Sequence, residues 1–285
     1  MTEANNAAMD DFWNGDGGHT WMSFEDRLEA SLSPLGNSAI AAAKIQTDDQ
    51  VLDVGCGCGG TSISMAQQVG TGGAVHGVDI SRPLLQRATA NARTANVHNV
   101  AFTAADAQVY TFEANRYDVV FSRFGVMFFD DPIAAFTNLW RALKPGGRLT
   151  FICWQSAQDN EWVRRPLSVV AQHIPLPSPS EPGEPGPFSL SDKDRVHAIL
   201  SAAGFTGTTT ANLRQPFVLG DDPQRALEFL LRLSPSGGAV RQANPDEPTR
   251  TSIARDMLAL FEKFAADRGV IMDSASMIVT AQKPA

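Results

Sequence analysis

Between Gln50 and Trp154 the chain alternates short β-branched or apolar runs with longer amphipathic stretches. Apolar runs that each give way to a stretch of helical period are the pattern of successive strand–helix units in a parallel sheet. The runs predict strands at Val51 to Val54, Ala74 to Val78, Val100 to Thr103, Tyr117 to Ser122 and Arg148 to Trp154. Helices are predicted near Thr61 to Val69, Arg82 to Ala95 and Ile133 to Leu143. Lys144, Pro145, Gly146 and Gly147 end the last of these, because proline cannot continue a helix and glycine permits the turn. A parallel sheet buries both faces, so helices must cover each side.

After Trp154 the pattern breaks. Pro175, Pro177, Pro179, Pro182, Pro185 and Pro187 fall in a stretch that suits neither helix interior nor central strand, and 156–190 reads as a Pro-rich loop. A helix at Ser191 to Ala203 and a strand at Phe205 to Leu213 follow, and Ser276 to Ala281 is a final strand. Two helical stretches, Pro223 to Leu233 and Thr249 to Asp267, stand between those strands across a Pro/Gly/Ser linker. They predict a helical cap insertion at about 215–268. The chain thus divides into an N-terminal helical lid over 1–40, a core over 41–155, the loop over 156–190, and the remainder of the core with its cap over 191–285.

At 285 residues and 43% hydrophobic content, the chain can bury one elaborated α/β core. A net charge of −8 and a pI near 5.1 oppose the electropositive surface that nucleic acid or anionic membrane requires, which leaves a small molecule as the expected partner. Met1 to Asp11 has neither a basic nor an apolar leader region, and no apolar run reaches bilayer length, so a cytoplasmic location is expected. Three cysteines are too few for a secreted disulfide framework. A homodimer is one assembly the composition leaves open.

Val51 to Val54 runs into Gly55, Cys56, Gly57, Cys58, Gly59 and Gly60, then into a helix. Glycines are needed where a turn is tight and the backbone must approach a ligand. The spacing also satisfies the dinucleotide fingerprint, and Asp79 at the end of the second strand suits a ribose diol either way. Three features separate the readings. Asp53 stands where a carboxylate meets an ammonium and would repel a pyrophosphate. Asp106, in Ala104 to Ala107, reaches toward an adenine amino group. Ala142 to Leu149 delivers the chain into the fifth strand.

Together these residues resemble the class I, Rossmann-like S-adenosylmethionine (SAM)-dependent methyltransferases, close to the ubiquinone and menaquinone biosynthesis group. The resemblance implies a doubly wound, seven-stranded, mostly parallel α/β sheet of order 3-2-1-4-5-7-6 with the last-formed strand antiparallel. It also implies that SAM is the cofactor, with S-adenosylhomocysteine as product and no metal. Asp53 and the backbone of Gly55, Cys56, Gly57 and Gly59 would hold the methionine moiety, Asp79 and Ile80 the ribose, and Asp106 and Ala107 the adenine. Ser122, Arg123 and Phe124 would line the floor near the sulfonium.

Methyl transfer asks little acid–base work of the protein, since the donor is already activated and positioning supplies much of the rate. Trp13, Trp21, Phe124, Phe128, Trp154 and Trp162 are the candidate walls of an apolar acceptor pocket, against the alternative of ordinary core packing. Phe12 and Phe24 add to the ring-rich N-terminal segment. His19, His173, Asp159 and Glu161 are weak candidates for a general base. A thiolate metalloid site from Cys56, Cys58 and Cys153 is disfavoured by the lack of a C-x-x-C pair. An NAD(P)-dependent oxidoreductase is disfavoured because Tyr110 and Tyr117 lack a lysine four residues on. A SAM-binding, non-catalytic partner subunit is the remaining alternative.

Overall fold

The protein is described by a computed structural model that places residues 6–178, 181 and 183–285. Met1 to Asn5 of the expected lid, and Pro179, Ser180 and Pro182 of the expected loop, lie outside the described residues.

Five strands follow the apolar runs: β1 (Gln50–Val54), β2 (Ala74–Asp79), β3 (Val100–Ala104), β4 (Tyr117–Arg123) and β5 (Leu143–Trp154). Three more come later: β6 (Thr206–Gly220), the two-residue β7 (Ala265–Ala266) and β8 (Gly269–Gln282). The sheet order is β3-β2-β1-β4-β5-β8-β6, with β7 pairing only with β8. Without that short strand the order reads 3-2-1-4-5-7-6, as expected. β1 to β5 pair in parallel, and β8 runs antiparallel to both β5 and β6. The order reverses between β1 and β4, and a crevice opens there beyond the carboxyl ends of the strands.

Helices α1 (Ala7–Asn14), α2 (Asp16–Ser23) and α3 (Glu25–Ala43) precede β1. α3 buries Leu28, Leu32, Leu35 and Ala39, a stripe of helical spacing, and packs on β4, β5 and β6. α4 (Gly60–Val69), α5 (Arg82–Thr94) and α6 (Pro132–Ala142) connect the parallel strands. Ser81 and Asp131 cap α5 and α6 by accepting from the N–H of Leu84 and Ala134.

Two helices appear where loop was expected. α7 (Glu161–Val170) lies inside the segment read as Pro-rich loop, with Pro166 in its interior and Trp162, Val163 and Val170 buried. Asn160 fastens its start to β8: Oδ1 accepts from Ala275 N (2.8 Å) and Trp162 Nε1 (3.0 Å), while Nδ2 donates to Ala275 O (3.0 Å). After α8 (Lys193–Ala202) and β6 comes α9 (Pro223–Leu233), then α10 (Pro235–Ala243) in the expected linker. Ser234 caps α10 with Pro235 at its first turn, and Gly237 is required because a Cβ there would meet Leu231 O at 2.0 Å. α11 (Glu247–Glu262) ends five residues before the expected helix does, because Ala265 and Ala266 turn back to pair with Gly269 and Val270. α9 packs with α10 and α11, and those two pack on α7. β6 reaches Gly220, so this helical group begins after the first part of the expected 215–268 insertion.

Candidate active site

From Val54 the chain turns through Gly55, Cys56, Gly57, Cys58 and Gly59 into α4. Gly55 N (2.8 Å) and Cys56 N (3.1 Å) both donate to Val78 O, which locks the turn to β2. Gly55, at φ 67°, touches the turn after β4: a Cβ there would lie 2.7 Å from Gly125 Cα. Gly57 is also in the left-handed region, at φ 53°, and nothing lies within 4 Å of where its Cβ would be. Its backbone faces open cavity.

Two carboxylates flank the turn. Asp79 Oδ2 accepts from Gly57 N (2.8 Å) and Oδ1 from Ser81 N (2.9 Å), so the residue that ends β2 also shapes the glycine turn. Desolvation pushes its carboxyl above the usual range, against the pull of those N–H donors. Asp106 Oδ1 accepts from Gln108 N (2.9 Å) and Asn6 Nδ2 (3.3 Å), whereas Oδ2 is buried with no partner. Asp79, Ile80, Asp106 and Ala107 line one cavity with Gly55, Cys56 and Gly57.

Three expected cofactor residues lie off that wall. Asp53 is fully buried beneath the turn, its Oδ2 accepting from Thr61 Oγ1 (2.7 Å) and Ser62 Oγ (2.6 Å). Burial lifts its carboxyl to about 6, even with both hydroxyls and Arg123 favouring the charge. Gly59 packs inward, where a Cβ would meet Ala88 Cβ and the Phe102 ring at 3.0 Å. Ser122 donates to Val54 O (2.8 Å) and accepts from Gly125 N (3.2 Å), tying together the ends of β1 and β4. These three shape the turn from behind. Arg123 does line the cavity, and its guanidinium grips Glu29 of α3 through both arms, at 3.0 and 2.8 Å. Burial raises the Glu29 carboxyl, but Arg123 and the Ser33 hydroxyl more than offset it and hold it below the usual range.

Rings line much of the same cavity. Trp13 meets Trp21 and Phe128 edge-on, at centroid distances of 5.6 Å each. Phe124 stacks on Trp154 at 4.2 Å, and Trp162 stacks on Phe217 at 4.9 Å. All six expected aromatic positions line this cavity, as does Phe129 of the same strand-end group, together with Phe188, Phe217 and Phe229, which sequence reasoning missed. Phe124 holds the left-handed region at φ 61°, a costly conformation for a bulky residue, with its N–H donating to Ile152 O (3.0 Å). The end of α1 is fastened beside the cavity through Trp13 O, which accepts from Ser81 Oγ (2.7 Å), and through Asn14 Nδ2, which donates to Ile80 O (3.0 Å).

None of the four weak base candidates is brought to the cavity. His19 is exposed on α2, and His173 bonds Asp256 (2.9 Å). Glu161 accepts from Arg165 and from Asp273 N, and Asp159 from Ser156 Oγ. Cys153 is buried apart from Cys56 and Cys58 and donates to Leu190 O. Burial raises all three thiols, Cys58 and Cys153 to about 12, so none is a thiolate at neutral pH. Among the described residues no group of three or more His, Cys, Asp or Glu side chains is placed to hold a metal ion. Of the described lining residues Glu25, Glu29, Asp79 and Asp106 are acidic and Arg123 is the one base, which makes the cavity hospitable to a cation.

Residues 51–147 match the family model described as a methyltransferase domain. The chain is 32% identical over 127 residues to aklanonic acid methyltransferase DauC of Streptomyces sp. (strain C5), covering 44% of this chain and 58% of that one. It is 34% identical over 117 residues to demethylmenaquinone methyltransferase of Listeria welshimeri, covering 41% and 49%. The matches thus span about half the length of these curated relatives. In fold it is similar to Haemonchus contortus phosphoethanolamine N-methyltransferase 2 in complex with S-adenosyl-L-methionine, with a TM-score of 0.59 and 20% identity over 100% of this chain and 61% of that one. Residues 51–147 thus resemble a methyltransferase domain, and the sheet order is that of a class I, Rossmann-like fold. Within that class, the chain is similar to the quinone methyltransferases.

Proposed function

We propose that this chain transfers a methyl group from SAM to a small, partly apolar or aromatic molecule held against the rings of the cavity. The observation that carries the reading is that one cavity is lined both by a glycine turn flanked by Asp79 and Asp106 and by a set of aromatic rings. The donor set fits an adenosine. The partnerless, buried Asp106 Oδ2 is an acceptor awaiting an amino hydrogen, and Asp79 keeps lone pairs for two hydroxyls beyond those used on Gly57 and Ser81. When bound, SAM supplies an electrophilic methyl on a sulfonium. The four cavity carboxylates favour that positive charge, and the ring faces can do so as well.

The chain's own residues then position and exclude. Trp13 and Trp21 close the lid side, Phe124 on Trp154 forms a flat wall, and together they keep water from the transfer. Glu25 is engaged with Arg87 and Asn91, and Glu29 with Arg123, so the acidic groups on the α3 side of the cavity are already committed to partners. The acceptor accordingly brings its own nucleophile. The test is incubation with methyl-labelled SAM and a fractionated metabolite extract. Label moving into a small, extractable compound supports the reading. Label retained in SAM across all fractions, with SAM still bound, favours a non-catalytic SAM-binding subunit.

A further inference from the structure

The Glu29–Arg123 pair is the charged feature of the cavity wall that the adenosine and ring contacts leave without a task. It joins α3 to the end of β4 across 94 residues of sequence, and Glu29 also accepts from Ser33 Oγ (2.6 Å). Two glycines clear its space. A Cβ on Gly36 would lie 2.9 Å from Arg123 Cδ, and one on Gly60 would lie 2.8 Å from the Glu29 carboxylate. The fold has little use for the pair, because α3 is already anchored by Leu28, Leu32, Leu35 and Ala39, and the Glu29 side chain is 42% exposed. Both partners face the same cavity as the glycine turn and Thr61. Asp53, the carboxylate expected to meet an ammonium there, is walled off and held by two hydroxyls.

We propose that Glu29 and Arg123 together bind the zwitterionic α-amino-acid end of the donor, Glu29 taking the ammonium and Arg123 the carboxylate. The inference rests on the cavity being a SAM site. A zwitterion laid against an ion pair in the opposite order gives four alternating charges, so the pair stays formed and no net charge enters a partly desolvated site. The chemistry has room for it. A guanidinium offers five donors, of which Glu29 engages two, and Glu29 Oε2, which accepts only from Arg123, keeps a lone pair, whereas Oε1 is filled by Arg123 and Ser33. A phosphate in place of the zwitterion would meet Glu29 with like charge. The pair therefore selects adenosine ligands by their amino-acid end.

The test is calorimetric titration of the full chain and of Glu29→Gln and Arg123→Met with two ligands, S-adenosylhomocysteine and 5′-methylthioadenosine, which lacks the amino-acid end. The expected result is a loss of about 10- to 100-fold for S-adenosylhomocysteine in each variant, with 5′-methylthioadenosine unchanged within about twofold. Glu29→Gln is nearly isosteric and half-exposed, so it decides the matter even if Arg123→Met fails to melt cooperatively. Equal losses for both ligands would assign the pair a structural role and overturn the proposal, as would no loss for either. A wild-type chain that binds neither ligand overturns the donor reading, and this inference with it.

Discussion

Asp53→Asn should gain stability relative to the wild type as pH rises. Asp53 is fully buried, its Oδ2 is shared by Thr61 and Ser62, and its Oδ1 has no partner. Burial raises its carboxyl from 3.8 to about 6. A carboxyl raised in the folded state contributes stability that is fully present below the unfolded value of 3.8 and is lost as pH climbs through about 6. A shift of about two units corresponds to about 3 kcal/mol. By pH 4.5 the unfolded carboxyl is already mostly ionised and roughly a third of that is gone, which leaves about 2 kcal/mol to be lost between pH 4.5 and 7.5. Asparagine never ionises. Its packing and hydrogen-bonding costs do not vary with pH, so they cancel in the difference. Urea denaturation of both proteins at the two pH values should show the variant gaining about 2 kcal/mol on the wild type as pH rises. A stability gap constant to within about 0.5 kcal/mol would refute the reasoning, by showing that Asp53 is ionised throughout or reached by water.

Asp106→Asn keeps an acceptor for Gln108 N but turns the partnerless oxygen into a donor, so S-adenosylhomocysteine affinity should fall about 10-fold or more with little change in melting; unchanged affinity would place the adenine elsewhere. Asn160→Ala strands the buried N–H groups of Ala275 and Trp162, and should cost about 2 to 4 kcal/mol in urea denaturation. A loss below about 0.5 kcal/mol would mean water replaces the amide. Removing residues 1–24 stops short of α3 and takes away Trp13 and Trp21, so the remainder should melt cooperatively while losing methyl transfer. A folded truncation with full activity would exclude the lid reading.

How far the sequence carried depended on how local the signal was. β1, β4 and β5 were legible because strands buried on both faces must be apolar almost throughout, and the glycine turn was legible because Gly55 and Gly57 need conformations that other residues avoid. α7 and α10 were not. The proline run from Pro175 weighed against the first, and the Pro/Gly/Ser composition of the linker against the second, although tertiary contacts hold both. The six aromatic positions reach the cavity because strand ends and the lid converge there, whereas Phe217 and Phe229 come from parts of the chain with no motif to mark them. His173 and Glu161 were singled out by residue type and by segments expected to overhang the crevice. Their actual partners, Asp256 on α11 and Arg165 with Asp273, are what remove them from the site. Glu29 pairs with Arg123 across 94 residues, a distance at which pattern says nothing.

The central claim is that this cavity holds SAM rather than another adenosine ligand. Titration of the full chain with S-adenosylhomocysteine and with NAD, followed calorimetrically, tests it most directly. The account predicts low-micromolar binding of S-adenosylhomocysteine, on the order of −7 to −8 kcal/mol, with no heat from NAD. Tight NAD binding with no response to S-adenosylhomocysteine would contradict it.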